Sequence, residues 1–158
     1  MEDKHIYKDH NKSLLLYHFV FPAKYRRTIF IWWVENTLVE ICREIELRYD
    51  IKFEEIGADE NHIHFLIQSI PTLSVTWIVT KLKSIIAKKL FETHPDIKKK
   101  LWWWNLWTRW YYVNTVWMYG GYDTIKNYVK NQWIEQWYKE RHKNKNERMV
   151  SLFEWLVF

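Results

Sequence analysis

Eight residues constrain this chain more than any others: Asn61-His62-Ile63-His64-Phe65-Leu66-Ile67-Gln68. They read as a short strand, apolar and β-branched enough to pair on both sides, with turn-type residues before it (Asp59, Glu60, Asn61) and Pro71 after it. Strand side chains alternate faces, so His62 and His64 point one way while Ile63 and Phe65 point into the opposite layer. Two imidazoles side by side on a rigid strand can hold one divalent metal and leave positions open for a third ligand and a substrate. In a chain with seven histidines, a bare His-x-His more often describes surface or hydrogen-bonded core residues. A second element, further along the chain, is needed to decide.

The segments around this strand set the fold class. Ser13 to Phe21 is apolar on both faces and reads as a central strand ended by Pro22. The basic run Lys24-Tyr25-Arg26-Arg27 follows at its end, where sheet proteins build sites, and arginine forks suit phosphate. Such a run is otherwise a solvated loop. From Ile29 to Tyr49 apolar residues recur at spacings of three and four, which predicts a helix. Residues 51–58 form a second strand, and the turn at 59–61 joins it to the His-x-His strand as an antiparallel hairpin.

Thr72 or Ser74 can cap a helix running to Thr93, buried through Val75, Ile78, Val79, Leu82, Ile85, Ile86 and Leu90. Lys81, Lys83, Lys88 and Lys89 lie on its other face. Pro95 stops it, and Tyr111 to Val116 reads as a fourth strand. Gly120-Gly121 turns the chain into a last helix, capped by Asp123 and running to His142. The order β-α-β-β-α-β-α predicts an α+β domain of ferredoxin-like or RRM-like type. Its antiparallel sheet has four to five strands with helices on one face, and a C-terminal helix is added to it.

With 158 residues the chain suits one domain. Residues 1–12 are expected to be flexible, 13–142 to form the domain, and the apolar tail within 143–158 to pack on the body or on a partner. The net charge of +5 and pI of 9.2 favour an anionic partner. A single cysteine, Cys42, excludes a disulfide framework and suits a reducing cytoplasm. No apolar run is long enough for a membrane span, and no glycine-rich loop offers a small-molecule phosphate cofactor a cradle.

On the last helix Tyr128 and Gln132 are four apart and share a face. Alone, Tyr128 would cover a groove and Gln132 would be an ordinary exposed residue. Beside His62 and His64 they acquire a chemistry. A phenol is a usable nucleophile on phosphorus when a metal draws charge from the phosphate, and the ester conserves bond energy for a reverse step. Gln132 can add its carbonyl oxygen as a third neutral ligand, and the set suits weakly held Mg²⁺ or Mn²⁺ completed by substrate.

The chain resembles the small single-tyrosine HUH transposases of bacterial and archaeal insertion sequences. The matching segments are Tyr17 to Arg27, Asn61-His62-Ile63-His64 as the HUH motif, Leu82-Lys83-Ser84, and Phe91-Glu92. Trp107-Thr108-Arg109, Tyr111 to Val116, and Thr124 to Gln132 complete them in order and spacing. The resemblance implies a homodimer that binds single-stranded DNA hairpins and cuts one strand by attack of Tyr128. The cut would leave a 5′-phosphotyrosine and a free 3′-OH, with rejoining as the reverse reaction. His62, His64 and Gln132 would be metal ligands, and Lys24, Arg26, Arg27, Lys83, Lys88 and Arg109 DNA contacts. In relatives the tyrosine helix can complete the histidine pair of the other subunit, which would use Gly120-Gly121 as a flexible connection. A non-catalytic single-strand binder on the same sheet, or a host-retained relative that cuts repeated hairpins, remain alternatives.

The chain departs from the family pattern in its aromatics. It has 12 Trp and only 3 Gly. Trp103, Trp104, Trp110, Trp117 and Trp133 stand where glycine or a small residue is expected. Wherever the backbone there needs φ > 0, a tryptophan imposes strain on the order of 1–3 kcal/mol.

Overall fold

The computed structural model describes residues 3–101, 104–117 and 121–141, with side chains through 131. In chain order the elements are β1 (Ile6–Lys8), β2 (Asn11–Ser13), β3 (Leu15–Pro22), a 3-10 turn at Lys24–Arg26, and α1 (Trp32–Arg48). They continue with β4 (Lys52–Asp59), β5 (His62–Ser69), α2 (Val75–Thr93), α3 (Pro95–Lys100), β6 (Tyr112–Thr115) and α4 (Tyr122–Arg141). The main sheet runs β4-β5-β3-β6, antiparallel throughout. Counted from β3 this is the strand order 2-3-1-4, the ferredoxin-like arrangement expected from the sequence.

The two inner strands are the two that the sequence marks as apolar on both faces. All eight residues of β5 are buried, and β3 pairs with β5 over its whole length, from Leu15↔Ser69 to Pro22↔His62. Phe19, Phe21, Ile63, Phe65 and Ile67 project from one face. They pack against Val34, Leu38, Ile41, Cys42 and Ile45 of α1 and Ile78, Val79, Leu82, Ile86 and Leu90 of α2. Each large apolar side chain buried here contributes roughly 1.5–3 kcal/mol. Ser74 caps α2, its hydroxyl accepting from the Trp77 N–H at 3.2 Å, so the later of the two candidate caps is the one used. Cys42 sits inside this core, and burial raises its thiol well above the ordinary value.

The opposite face carries α4, over a smaller cluster of Leu16, Leu66, Val116 and Tyr122. The sheet is therefore a septum. Two helices build the core on one side, and the C-terminal helix covers the histidine side.

Three features differ from the sequence expectation. The N-terminal stretch, expected to be flexible, holds the hairpin β1–β2, paired from Ile6↔Ser13 to Lys8↔Asn11. Polar contacts that no hydrophobic periodicity announces hold it: Gln68 Nε2 donates to Lys4 O at 2.6 Å, and Lys8 pairs with Asp50 at 2.7 Å. Pro95 begins the short helix α3 as well as ending α2, because proline suits the first helical turn. Helix α1 begins at Trp32, not Ile29, since the Ile29 and Phe30 N–H groups both donate to Glu60 O and leave extended backbone before the helix. The expected tail at 143–158 lies outside the described residues, as does Gly120. Among the described residues no helix is long and apolar enough to cross a membrane.

Candidate active site

The sheet places His62 opposite Pro22 on one side and Asp59 on the other, and His64 opposite Val20 and Gly57. Both rings lie on the α4 face, centroids 4.8 Å apart and planes at 64°. His62 Nδ1 lies 2.8 Å from Asn61 Oδ1. An amide oxygen only accepts, so Nδ1 carries the proton and Nε2 keeps its lone pair. Asn61 thus orients the His62 ring in the way an outer carboxylate orients a metal-bound histidine; Asp59 Oδ2 stands further off, 3.9 Å from the same nitrogen.

His64 is more deeply placed. Burial holds its imidazole well below the ordinary value, with smaller contributions from the neighbouring His62 and His18. A neutral ring is the form a metal requires. Its Nδ1 lies 3.0 Å from His18 Nε2, while its own Nε2 is buried with no hydrogen-bond partner. An orphaned buried nitrogen on a neutral ring beside a second imidazole is a donor set that fits a divalent cation. Among the described residues no group of three or more His, Cys, Asp and Glu is arranged to hold a metal. A third ligand of another kind, such as an amide oxygen, is consistent with that.

Helix α4 brings Tyr128 to this pair. Its ring is half-buried and stands edge-on to His64, centroids 5.3 Å apart at 83°, and 6.3 Å from His18. The helix comes this close because β4 carries glycine at position 57. A Cβ there would clash with the backbone carbonyl oxygen of Val129, next to Tyr128. The N-terminal end of α4 is tied down by Tyr122, whose hydroxyl donates to Glu54 Oε2 at 2.7 Å and accepts from Lys4 Nζ at 2.6 Å. Gln132 follows one turn after Tyr128 on the same helix; its side chain lies outside the described part.

The expected DNA contacts divide. The turn holding Lys24, Arg26 and Arg27 is at the His62 end of the sheet, where Ala23 N donates to Asn61 O at 2.8 Å. Tyr25 and Arg26 there take left-handed backbone, φ 57° and 52°, a conformation that bulky residues hold only where the surroundings impose it. Arg109 joins this rim, since Thr108 N donates to Pro22 O at 3.1 Å and Trp107 bridges Ala23. Lys83 does not face outward as expected. Its ammonium is turned onto the carbonyls of Thr108 (2.9 Å), Arg109 (3.4 Å) and Trp110 (3.0 Å), beside the Phe21 and Tyr111 rings. Burial lowers its ammonium to about 8, against which the three carbonyls favour the charged form. It braces the loop that carries Arg109. Lys88 is exposed on α2, in the layer on the other side of the sheet from the histidines.

Two contributors escaped the sequence reading. Gly57 had a signal: a glycine inside a strand, in a chain with three, marks a close backbone approach. His18 had only its parity. It lies two residues from Val20 on β3 and so shares the face of His64, but the pairing register that makes them neighbours is not written locally. Burial lowers its imidazole to about 4, opposed by the Asn114 side chain. Of the tryptophans, Trp104 has φ 52° and so fulfils the expectation of strain, whereas Trp110 and Trp117 are exposed with ordinary backbone. Trp103 and the Trp133 side chain lie outside the described residues.

Sequence and fold place the chain among known transposases. The family model described as "Transposase IS200 like" matches residues 11–132. The chain is 30% identical over 102 residues to the ISDra2 transposase TnpA of Deinococcus radiodurans, covering 65% of this chain and 73% of that one. It is 32% identical over 125 residues to the transposase for insertion sequence element IS200 of Salmonella typhimurium, covering 78% and 80%. A solved structure described as a transposase of Deinococcus radiodurans R1 superposes with TM-score 0.66 at 26% identity, over 80% of this chain and 97% of that one. A REP-associated tyrosine transposase bound to a REP hairpin shares the fold, with TM-score 0.57 at 10% identity over 82% and 74%.

Proposed function

This chain belongs to the IS200-like transposase family, and we propose that it cuts and rejoins single-stranded DNA at hairpin-bearing element ends through a phosphotyrosine formed on Tyr128. One observation carries the reading: Tyr128 on a helix stands with its ring centroid 5.3 Å from that of His64, a residue far away in sequence whose Nε2 is buried and unpaired beside His62.

In the forward step the Tyr128 oxygen attacks the scissile phosphorus, forming the O–P bond as the bond to the 3′ oxygen breaks. The phenol loses its proton, the departing 3′ oxygen gains one, and the DNA 5′ end remains as a phosphotyrosine. Rejoining is the same exchange in reverse and consumes no nucleotide. His62 and His64, through Nε2, and Gln132, through its amide oxygen, would hold Mg²⁺ or Mn²⁺. The cation would draw charge from the non-bridging phosphate oxygens. Asn61 fixes the His62 ring. Lys24, Arg26, Arg27 and Arg109 form a cationic rim for the strand entering the site, and Lys83 holds that rim in place. Lys88 would meet only DNA that passes around to the α2 side. The homodimer is part of this reading. A second α4 could take the same seat on a partner's sheet, making the sites composite.

The test is a denaturing gel with labelled single-stranded DNA from the element ends, with and without Mn²⁺, beside Tyr128→Phe. A metal-dependent covalent band that the variant loses is the expected result. A native-gel shift without any covalent band would make the chain a binder, and neither signal with the correct ends would overturn the reading.

A further inference from the structure

His18 takes no part in the mechanism above, yet it is buried against a proposed metal ligand in a specific orientation. Its Nε2 faces His64 Nδ1 at 3.0 Å, and the two rings stack at 5.3 Å and 11°. With Nε2 so engaged, His18 is not placed to be a third ligand itself. On its other side stands Asn114, directly opposite in the β3–β6 register and on the same face. Two buried polar atoms in this group have no hydrogen-bond partner at ordinary distance: Asn114 Oδ1 at one end and His64 Nε2 at the other. They terminate one series of side chains.

The donor direction along that series follows from what each end can do. If His18 donated from Nε2 to His64 Nδ1, the proton of His64 would sit on Nε2, buried with no acceptor. His18 Nδ1 would then present a lone pair to the Asn114 oxygen, acceptor against acceptor. In the reverse direction His64 donates from Nδ1 to His18 Nε2, and His18 donates from Nδ1 toward Asn114 Oδ1. Every N–H then has an oxygen or nitrogen to meet, and the one lone pair left over is His64 Nε2, on the side of the site.

We propose that His18 is a positioning residue: backed by Asn114, it fixes His64 in the Nδ1–H tautomer and so presents Nε2 to the metal. The proposal rests on the reading of His62 and His64 as ligands. It gives the two ligands matched arrangements from different partners, an amide oxygen behind His62 and a second imidazole behind His64. Outer partners of this kind govern metal affinity by about 10- to 100-fold.

The experiment uses the full chain and Mn²⁺ alone. The His64 tautomer is read from its ring-nitrogen shifts in the metal-free protein, and Mn²⁺ affinity is measured for wild type, His18→Phe, His18→Gln and His64→Ala. Protonation at Nδ1 is expected in wild type. His18→Phe keeps the ring volume but offers no acceptor, and should weaken Mn²⁺ binding about 10- to 100-fold. His18→Gln places an amide oxygen near the lost Nε2 and should recover most of it, which a purely space-filling role would not do. A proton on Nε2 in wild type overturns the proposal, even where His18→Phe fails to fold. So does a folded His18→Phe with unchanged affinity while His64→Ala has lost it. A wild-type chain that binds no Mn²⁺, or a His64→Ala that binds as well, overturns the ligand reading and the proposal with it.

Discussion

The two halves of the site are held by different physics. The histidines belong to β5, a strand buried along its whole length and paired on both sides, so their backbone moves only if the sheet moves. Tyr128 belongs to a helix laid on the outer face, seated by the glycine notch at Gly57 and the polar clamp around Glu54. On the proposed reading, the two histidine ligands and the nucleophile are therefore held separately, the histidines by the sheet and Tyr128, with Gln132 one turn on, by the docked helix. Substitutions that strike one half and spare the other test this.

The sheet half breaks hardest. Phe65 is fully buried between His64 and Leu66 in sequence, on the core face, with ring contacts to Phe21 at 5.5 Å and Phe53 at 5.4 Å. Phe65→Ala should cost about 3–5 kcal/mol in a denaturant or thermal unfolding curve, and lower Mn²⁺ binding and cleavage together. Cleavage that fails while metal binding persists would show that the halves are not divided as described.

The helix half breaks at its notch. Gly57→Val puts a side chain where the Val129 carbonyl oxygen lies, so α4 must lift and carry Tyr128 away from His64. Misplacing a nucleophile by an ångström or so costs about 100-fold. Covalent product should fall by at least that much, while Mn²⁺ binding, kept by His62 and His64 but deprived of Gln132, should fall far less. Undiminished cleavage would mean that the working tyrosine does not reach its histidines over this notch.

The clamp predicts a smaller, pH-dependent effect. Burial alone would raise the Glu54 carboxyl, but hydrogen bonds from Lys52 and Tyr122 and the Lys52 and Lys4 charges outweigh it and hold it below the ordinary carboxylate value. A carboxyl lowered on folding contributes stability that is complete above its unfolded value, about 4.3, and is lost as pH falls through the folded one. Acidification should therefore loosen α4. Glu54→Gln should flatten that acid limb and cost on the order of 1 kcal/mol at pH 7. Amide exchange over 122–129 should rise before exchange in β5 does. Equal changes in both would merge the two halves.

The same division explains what the sequence disclosed. The sheet half was legible because period-two alternation and flanking turns specify a strand, and a strand specifies which residues share a face; His62, His64 and the β-α-β-β-α-β order follow from local pattern. Contacts between elements were not. His18 reaches His64 through a pairing register, Gly57 receives α4 through a crossing point, and Lys83 turns inward because a loop 25 residues later supplies three carbonyls. The N-terminal hairpin escaped for a related reason, being held by Asp3, Lys8 and Gln68 contacts in place of an apolar stripe. The spacing of Tyr128 and Gln132 identified the helix face but not the sheet beneath it.

Trp104 gives the smallest effect. Trp104 is exposed, follows α3, and holds φ 52°, where a side chain is disfavoured and glycine is not. The left-handed conformation costs a non-glycine residue about 1–2 kcal/mol. Glycine returns part of this through the freer unfolded chain. Removing the indole also loses its contact with Lys98, whose ammonium lies 4.0 Å from the ring centroid. The balance predicts that Trp104→Gly is more stable than wild type by about 0.5–1 kcal/mol in thermal unfolding, with metal affinity and covalent product unchanged. Trp117→Gly, at a position with ordinary backbone, should show no such gain. Stabilisation by both substitutions would trace the effect to exposed aromatic area, and stabilisation by neither would mean that the Lys98 contact outweighs the backbone strain.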